Sequence, residues 1–158
     1  MKHLLYLLVL LFLVTSCKST SSATSNSKKT SQFNEQIIDD ATDKIGTPYK
    51  YAGITNAGYD CSGLVFTTFQ KNHISLPRSS YEMSKKGTII KKNDCRKGDL
   101  IFFKTNGKNK INHVGIITEV DDDEIKFVHS STQRGVIISS TKEDYYRKSF
   151  AQINRIVE

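Results

Sequence analysis

Three cysteines in 158 residues are too few and too unevenly placed for a disulfide scaffold. Nothing after the first fourteen residues repeats the apolar run found there, so no later segment is expected to span a membrane. There is no zinc-finger spacing and no strip of basic and aromatic residues, which argues against a nucleic-acid partner. The chain is nevertheless basic, with a formal net charge of +7. An exported protein of this charge meets anionic polymers or lipid headgroups. No internal repeat is present.

What is there begins with a leader. Met1-Lys2-His3 precedes eleven almost wholly apolar residues, Leu4 to Val14. As a helix these rise only ~16 Å, about half of the hydrocarbon thickness, so the run reads as a signal segment over residues 1–17. Val14-Thr15-Ser16-Cys17 looks like a bacterial lipobox, which makes Cys17 the expected lipidated N-terminus. Lys18 rather than Asp follows it, pointing to the outer membrane if the cell has one. Residues 18–31 hold nine Ser or Thr and three Lys with no large apolar side chain, and read as a tether of about 20 Å span. Residues 32–158 are enough for one domain with one core.

Within that domain, Phe33, Ile37, Ile38, Ala41 and Ile45 recur at helical spacing, with Gly46 placed to stop the helix. Asp60 is a good N-cap for a second helix of roughly ten residues carrying Leu64, Val65, Phe66 and Phe69. Cys61 is then its first residue, where free backbone N–H groups and the helix dipole favour a thiolate. Gly63 suggests that something approaches this first turn closely. Ser79-Ser80-Tyr81-Glu82 fits a capping box. Beyond it the period changes to two, with strand-like runs at 88–91, 100–104, 113–120, 125–130, 136–140 and 153–157. Helices followed by short strands predict an α+β fold with an antiparallel sheet.

Asp121-Asp122-Asp123-Glu124 is a turn, so the strands on either side form a hairpin. Pairing Val120 with Glu124 or Ile125 brings His113 and His129 to the same end of adjacent strands. Cβ atoms in such positions lie roughly 5–8 Å apart. His3 falls in the leader, and His73 reads as a helix-end or surface residue. A Cys at a helix start with two His on a hairpin supplies a nucleophile, a base and an orienting group. Two other readings are open from these residues alone: Cys61 as a small apolar side chain in a helix, and the three groups as Zn²⁺ ligands. Cys95 sits in a polar loop with no evident partner.

Six segments in order resemble the NlpC-type cell-wall peptidases, a papain-like family. They are Gly46-Thr47-Pro48-Tyr49-Lys50-Tyr51-Ala52-Gly53, Tyr59-Asp60-Cys61-Ser62-Gly63-Leu64-Val65, Leu76-Pro77-Arg78-Ser79-Ser80, Lys97-Gly98-Asp99-Leu100-Ile101-Phe102-Phe103, Asn112-His113-Val114-Gly115-Ile116 and Phe127-Val128-His129-Ser130. The resemblance covers about residues 35–157. It implies the papain-like NlpC fold, with the Cys61 helix packed on a sheet of about five to six strands. It makes Cys61 the nucleophile, His113 the base and His129 the residue that sets the ring. Tyr49 is implied to help hold the oxyanion, and Asp60, Ser62, Arg78 and Ser80 to line the substrate groove, with Arg78 pairing a stem carboxylate.

The reaction implied is hydrolysis of peptidoglycan stem peptides, at the D-glutamyl–diamino acid or diamino acid–D-Ala bond, during cell-wall remodelling. No metal and no other cofactor is implied. The expected partners are peptidoglycan peptides and, through the N-terminal lipid, the membrane; a monomer is expected. The chain is expected in the cell envelope, lipid-anchored and facing the periplasm if there is an outer membrane. With no Src-homology-3-like segment in this sequence, the groove is expected to admit stems still attached to glycan. The alternatives are a catalytically silent wall-binding lipoprotein and a related papain-like amidase or acyltransferase.

Overall fold

A computed structural model describes residues 21–158. The leader, the lipobox and Cys17 lie outside the described residues. Helix α1, Ser21–Thr42, buries Ile37, Ile38 and Ala41 and rests Phe33 against the same cluster. It extends further toward the N-terminus than the apolar spacing predicts, so residues 21–31, expected as tether, are helical. Once the packed part nucleates the helix, each added residue gains a hydrogen bond, and no proline interrupts it. Thr30 ties this stretch to the other terminus by donating to the Glu158 carbonyl at 2.9 Å. The helix ends at Thr42, before Ile45, which is exposed rather than inward-facing. A turn runs on to Gly46, whose N–H donates to the Val136 carbonyl.

Residues 46–60 form a loop holding a two-residue ladder, β1 (Ile54–Thr55) with β2 (Gly58–Tyr59). Helix α2, Cys61–Lys71, follows as expected, with Asp60 as its N-cap. Its Leu64, Val65 and Phe69 are buried against α1 and the sheet. Asp40 of α1, nearly buried, accepts from Lys71 and Asn72 at the far end of α2, locking the two helices together. His73 is exposed just past the Asn72 cap, as a surface residue. The short α3, Ser80–Met83, has the predicted Ser79 cap, whose hydroxyl accepts from the Glu82 N–H.

Six strands follow: β3 (Thr88–Ile90), β4 (Leu100–Phe103), β5 (His113–Val120), β6 (Ile125–Ser131), β7 (Gly135–Ser140) and β8 (Phe150–Arg155). They form one antiparallel sheet in the order β3-β8-β4-β5-β6-β7. The fold is thus α+β, as predicted. Leu100, Phe102, Val114, Ile116, Val128 and Val136 face the two long helices. Ile101, Phe103, Ile117, Ile125, Phe127 and Ile153 face the other way. That second face is covered by Tyr146, from a helix the periodicity does not predict, α4 (Asp144–Ser149). With a single buried residue in six, α4 has no apolar stripe to read. The last strand starts at Phe150 rather than 153, because Phe150 pairs with Phe103. Asp99 serves the turn into β4, accepting from the Arg96 N–H, and is also gripped by Arg155 through two hydrogen bonds.

Candidate active site

The nucleophile end is built by local rules. Asp60 caps α2 by accepting from the Gly63 N–H at 2.6 Å, which fixes Cys61 in the first turn. The close approach that Gly63 permits comes from this chain's own loop: a Cβ there would lie 2.0 Å from the Gly53 carbonyl oxygen. That carbonyl also accepts from the Asp60 N–H, so the loop and the helix start are one unit. Ser130 of β6 donates to the Tyr59 carbonyl at 2.7 Å and ties this unit to the sheet.

Arg78 completes it. Its guanidinium grips Asp60 through two nitrogens, at 2.9 and 2.6 Å, and donates to the Ser62 hydroxyl at 2.9 Å. Ser62 in turn donates to Asp60. Arg78, expected to meet a substrate carboxylate, has both terminal nitrogens engaged within the chain, by Asp60, Ser62 and the Gly53 carbonyl, while its side chain stays 38% exposed. Ser62 and Ser80, expected to line the substrate groove, are buried, and so is Asp60 for the most part. Tyr49 lies close by through a backbone bridge with Tyr59. Burial raises its phenol pKa, with Cys61 and Asp60 adding to the rise and Arg78 opposing it.

The histidine end is built by packing. Val120 pairs with Ile125 as expected, and a bulge between Ile117 and Glu119 shifts the register beyond it. His113 and His129 then share the second face of the sheet, and His113 Nε2 stands 2.9 Å from His129 Nδ1. Gly115 makes this possible: a Cβ there would meet Phe127 at 2.8 Å and the His129 Cβ at 3.3 Å. His129 is fully buried between Phe127 and Tyr146, at ring separations of 5.1 and 5.2 Å. The Tyr146 hydroxyl lies 3.2 Å from His129 Nε2. Nothing in the short polar surroundings of Tyr146 marks it in the sequence.

The two ends meet at the start of β5. The Cys61 thiol donates to the carbonyl of Asn112, the residue before His113, at 3.8 Å, and is not hydrogen-bonded to the His113 ring. The Asn112 side chain is held in turn by Thr105. Burial works against the expectation of a readily ionised thiol. Burial pushes the Cys61 thiol up to about 11, and Asp60 adds to the rise; the backbone N–H groups of Val114, Ser62 and Cys61 lower it by less. Burial lowers His113 to about 4, and His129 also falls well below the usual imidazole value, through burial and the neighbouring His113. Each of these shifts favours the uncharged form, of the thiol and of both imidazoles. Cys95 lies elsewhere, against the second-face cluster, and both thiols are free.

The NlpC/P60 family matches residues 46–155 of this chain. A probable endopeptidase of Haemophilus influenzae is 44% identical over 112 residues, which cover 70% of this chain and 67% of that protein. The Escherichia coli murein DD-endopeptidase MepS/murein LD-carboxypeptidase is 37% identical over 123 residues, covering 77% of this chain and 62% of its own length. Among solved structures, an NlpC/P60 family protein from Bacillus cereus superposes with a TM-score of 0.71 at 31% identity, over 79% of this chain and 40% of that one. The match runs from the loop before the Cys61 helix through the histidine hairpin to the last strand, and the chain belongs to the NlpC/P60 family.

Proposed function

We propose that this NlpC/P60 peptidase is a peptidoglycan endopeptidase that hydrolyses an amide bond beside the diamino acid of the stem peptide, with Cys61 as nucleophile, His113 as base and His129 as orienting residue. The observation that carries this reading is the imidazole pair, 2.9 Å apart, at the head of the strand whose preceding carbonyl takes the Cys61 thiol. The names of the relatives support the substrate class, one being a murein endopeptidase and another, from Bacillus subtilis, a γ-D-glutamyl-L-lysine dipeptidyl-peptidase.

In this reading the neutral thiol gives its proton to His113 as sulfur attacks the carbonyl carbon. Apo-state catalytic hydrogen bonds are often long and tighten with substrate, so the thiol is expected to turn from Asn112 to the ring on binding. The oxyanion is received by the Cys61 backbone N–H, with Tyr49 beside it. The C–N bond then breaks as the His113 imidazolium protonates the leaving amine. Water, deprotonated by His113, attacks the thioester and releases the acid and the thiol. The N-terminal lipid on Cys17 holds the monomer at the envelope membrane, facing the wall.

The test is to incubate purified sacculi with the protein and identify the released muropeptides. New termini at the D-glutamyl–diamino acid or diamino acid–D-Ala bond, lost in Cys61→Ala, are expected. Binding to sacculi with no released fragment would overturn the reading in favour of a silent wall-binding protein. Labelled fatty acid should enter the wild type and not Cys17→Ala; equal labelling would remove the anchor.

A further inference from the structure

We propose that Tyr146 is a positioning residue that sets the tautomer of His129 and, through it, leaves His113 with a free base nitrogen. The proposal rests on His113 acting as the base. It follows from counting protons along a buried row of three side chains.

A neutral imidazole carries one N–H, on one nitrogen or the other. His113 Nε2 faces His129 Nδ1 at 2.9 Å, so one of these two atoms holds the proton between them. If His129 holds it on Nδ1, His113 accepts at Nε2 and keeps its only proton on Nδ1. That ring has no lone pair left to take a proton from the thiol. If His113 holds the shared proton on Nε2, its Nδ1 is free to act as base. His129 must then carry its own proton on Nε2, and this N–H is fully buried. A buried donor without an acceptor costs about 1–3 kcal/mol, so the productive tautomer needs a partner at that point.

The Tyr146 hydroxyl, 3.2 Å from His129 Nε2, is that partner. A phenol can donate or accept, and the surroundings decide which. Ser139 lies beside the Tyr146 hydroxyl. The Ser139 Oγ is buried and has no hydrogen-bond partner, so it is able to accept the phenol proton. Directing the phenol proton toward Ser139 leaves the phenol lone pairs for His129. Tyr146 cannot easily turn away. It is 5% exposed and wedged edge-on between Phe103 and Phe127, with ring separations of 5.2 and 5.0 Å. When His113 takes the thiol proton, the same row points two N–H dipoles outward from the cation and steadies it.

The test uses nitrogen-15 histidine spectra of the full chain, which report which ring nitrogen bears the proton. Wild type should show both His113 and His129 protonated on Nε2. Tyr146→Phe, confirmed folded by circular dichroism, should move the His129 proton to Nδ1. It should lower kcat about tenfold or more, as a wrong tautomer does, while KM stays within about twofold. A wild-type His129 protonated on Nδ1 would overturn the proposal without any variant, which covers the case that Tyr146→Phe fails to fold. A folded Tyr146→Phe with unchanged spectra and unchanged kcat would overturn it too, leaving Tyr146 as packing alone. If instead Cys61→Ala keeps full activity, the mechanism falls while the tautomer result still stands.

Discussion

The thiol end and the histidine end of the site are made by opposite means. Around Cys61 the structure is polar: Asp60, Arg78, Ser62 and the Gly53 carbonyl hold the helix start through short hydrogen bonds, with Arg78 partly open to solvent. Around His113 and His129 it is aromatic and dry, built from Phe103, Phe127 and Tyr146. The polar end carries a fixed negative charge next to the thiol, and the apolar end denies the imidazoles a positive one. Both push toward the neutral pair.

The harshest way to break the comparison is to remove a reacting group from either end. Cys61→Ala and His113→Ala should each lower kcat/KM by about a thousandfold or more, with the circular dichroism spectrum intact. A folded Cys61→Ala that still clears sacculi would dispose of the mechanism. Closing the polar end sterically should come next. In Gly63→Ala the new methyl would sit 2.0 Å from a backbone carbonyl that cannot swing aside as a side chain does. A loss of roughly 3 kcal/mol or more in urea denaturation is expected, near the upper end for overpacking. An unchanged midpoint would show that the loop yields freely.

Arg78→Ala should act on stability as well as on turnover. It strips the countercharge from a mostly buried Asp60 and should cost about 1–3 kcal/mol. Because Asp60 raises the Cys61 thiol, the uncompensated charge should also slow alkylation. A pure rise in KM, with stability and alkylation unchanged, would instead favour a direct substrate contact.

The acid limb of kcat/KM sharpens the other half. The folded His113 ring sits at about 4, below its ordinary 6.5, and therefore remains a neutral base down to about pH 4. Activity should be lost as pH falls through that value and not near 6.5. Stability follows the same sign: the depressed ring contributes stability fully present above 6.5 and lost as pH falls toward 4, since the unfolded chain binds the proton first. Iodoacetamide should label Cys61 slowly at pH ~6 and faster as pH rises, the pattern of a protonated thiol. Rapid labelling at pH ~6 would mean that a thiolate–imidazolium pair already exists. The smallest effect should come from Lys126→Ala, which removes an exposed pair with Glu119 far from both ends. Neither Tm nor activity should change measurably.

Much of this was legible in the chain because it depends on neighbours a few residues apart. The Asp60 cap, the Cys61 helix, the Ser79 cap and the 113–120/125–131 hairpin all follow from spacing and from hydrogen bonds spanning three or four residues. The two histidines fell together because a short acidic turn and a period of two leave little freedom in register. The limits of helix α1, the existence of α4 and the start of β8 were not legible, since partners distant in sequence set them.

Residue types and their order were therefore enough to nominate Cys61, His113 and His129. Only the folded chain decided how those groups are charged and what holds them. Arg78 reaches Asp60 across 18 residues, and Tyr146 reaches His129 across 17, in contacts that no periodicity encodes. Whether a thiol at a helix start is ionised depends on how much water it loses and which charges face it. Dipole and cap are local and favour the anion; burial is a property of the whole packed molecule, and here it prevails.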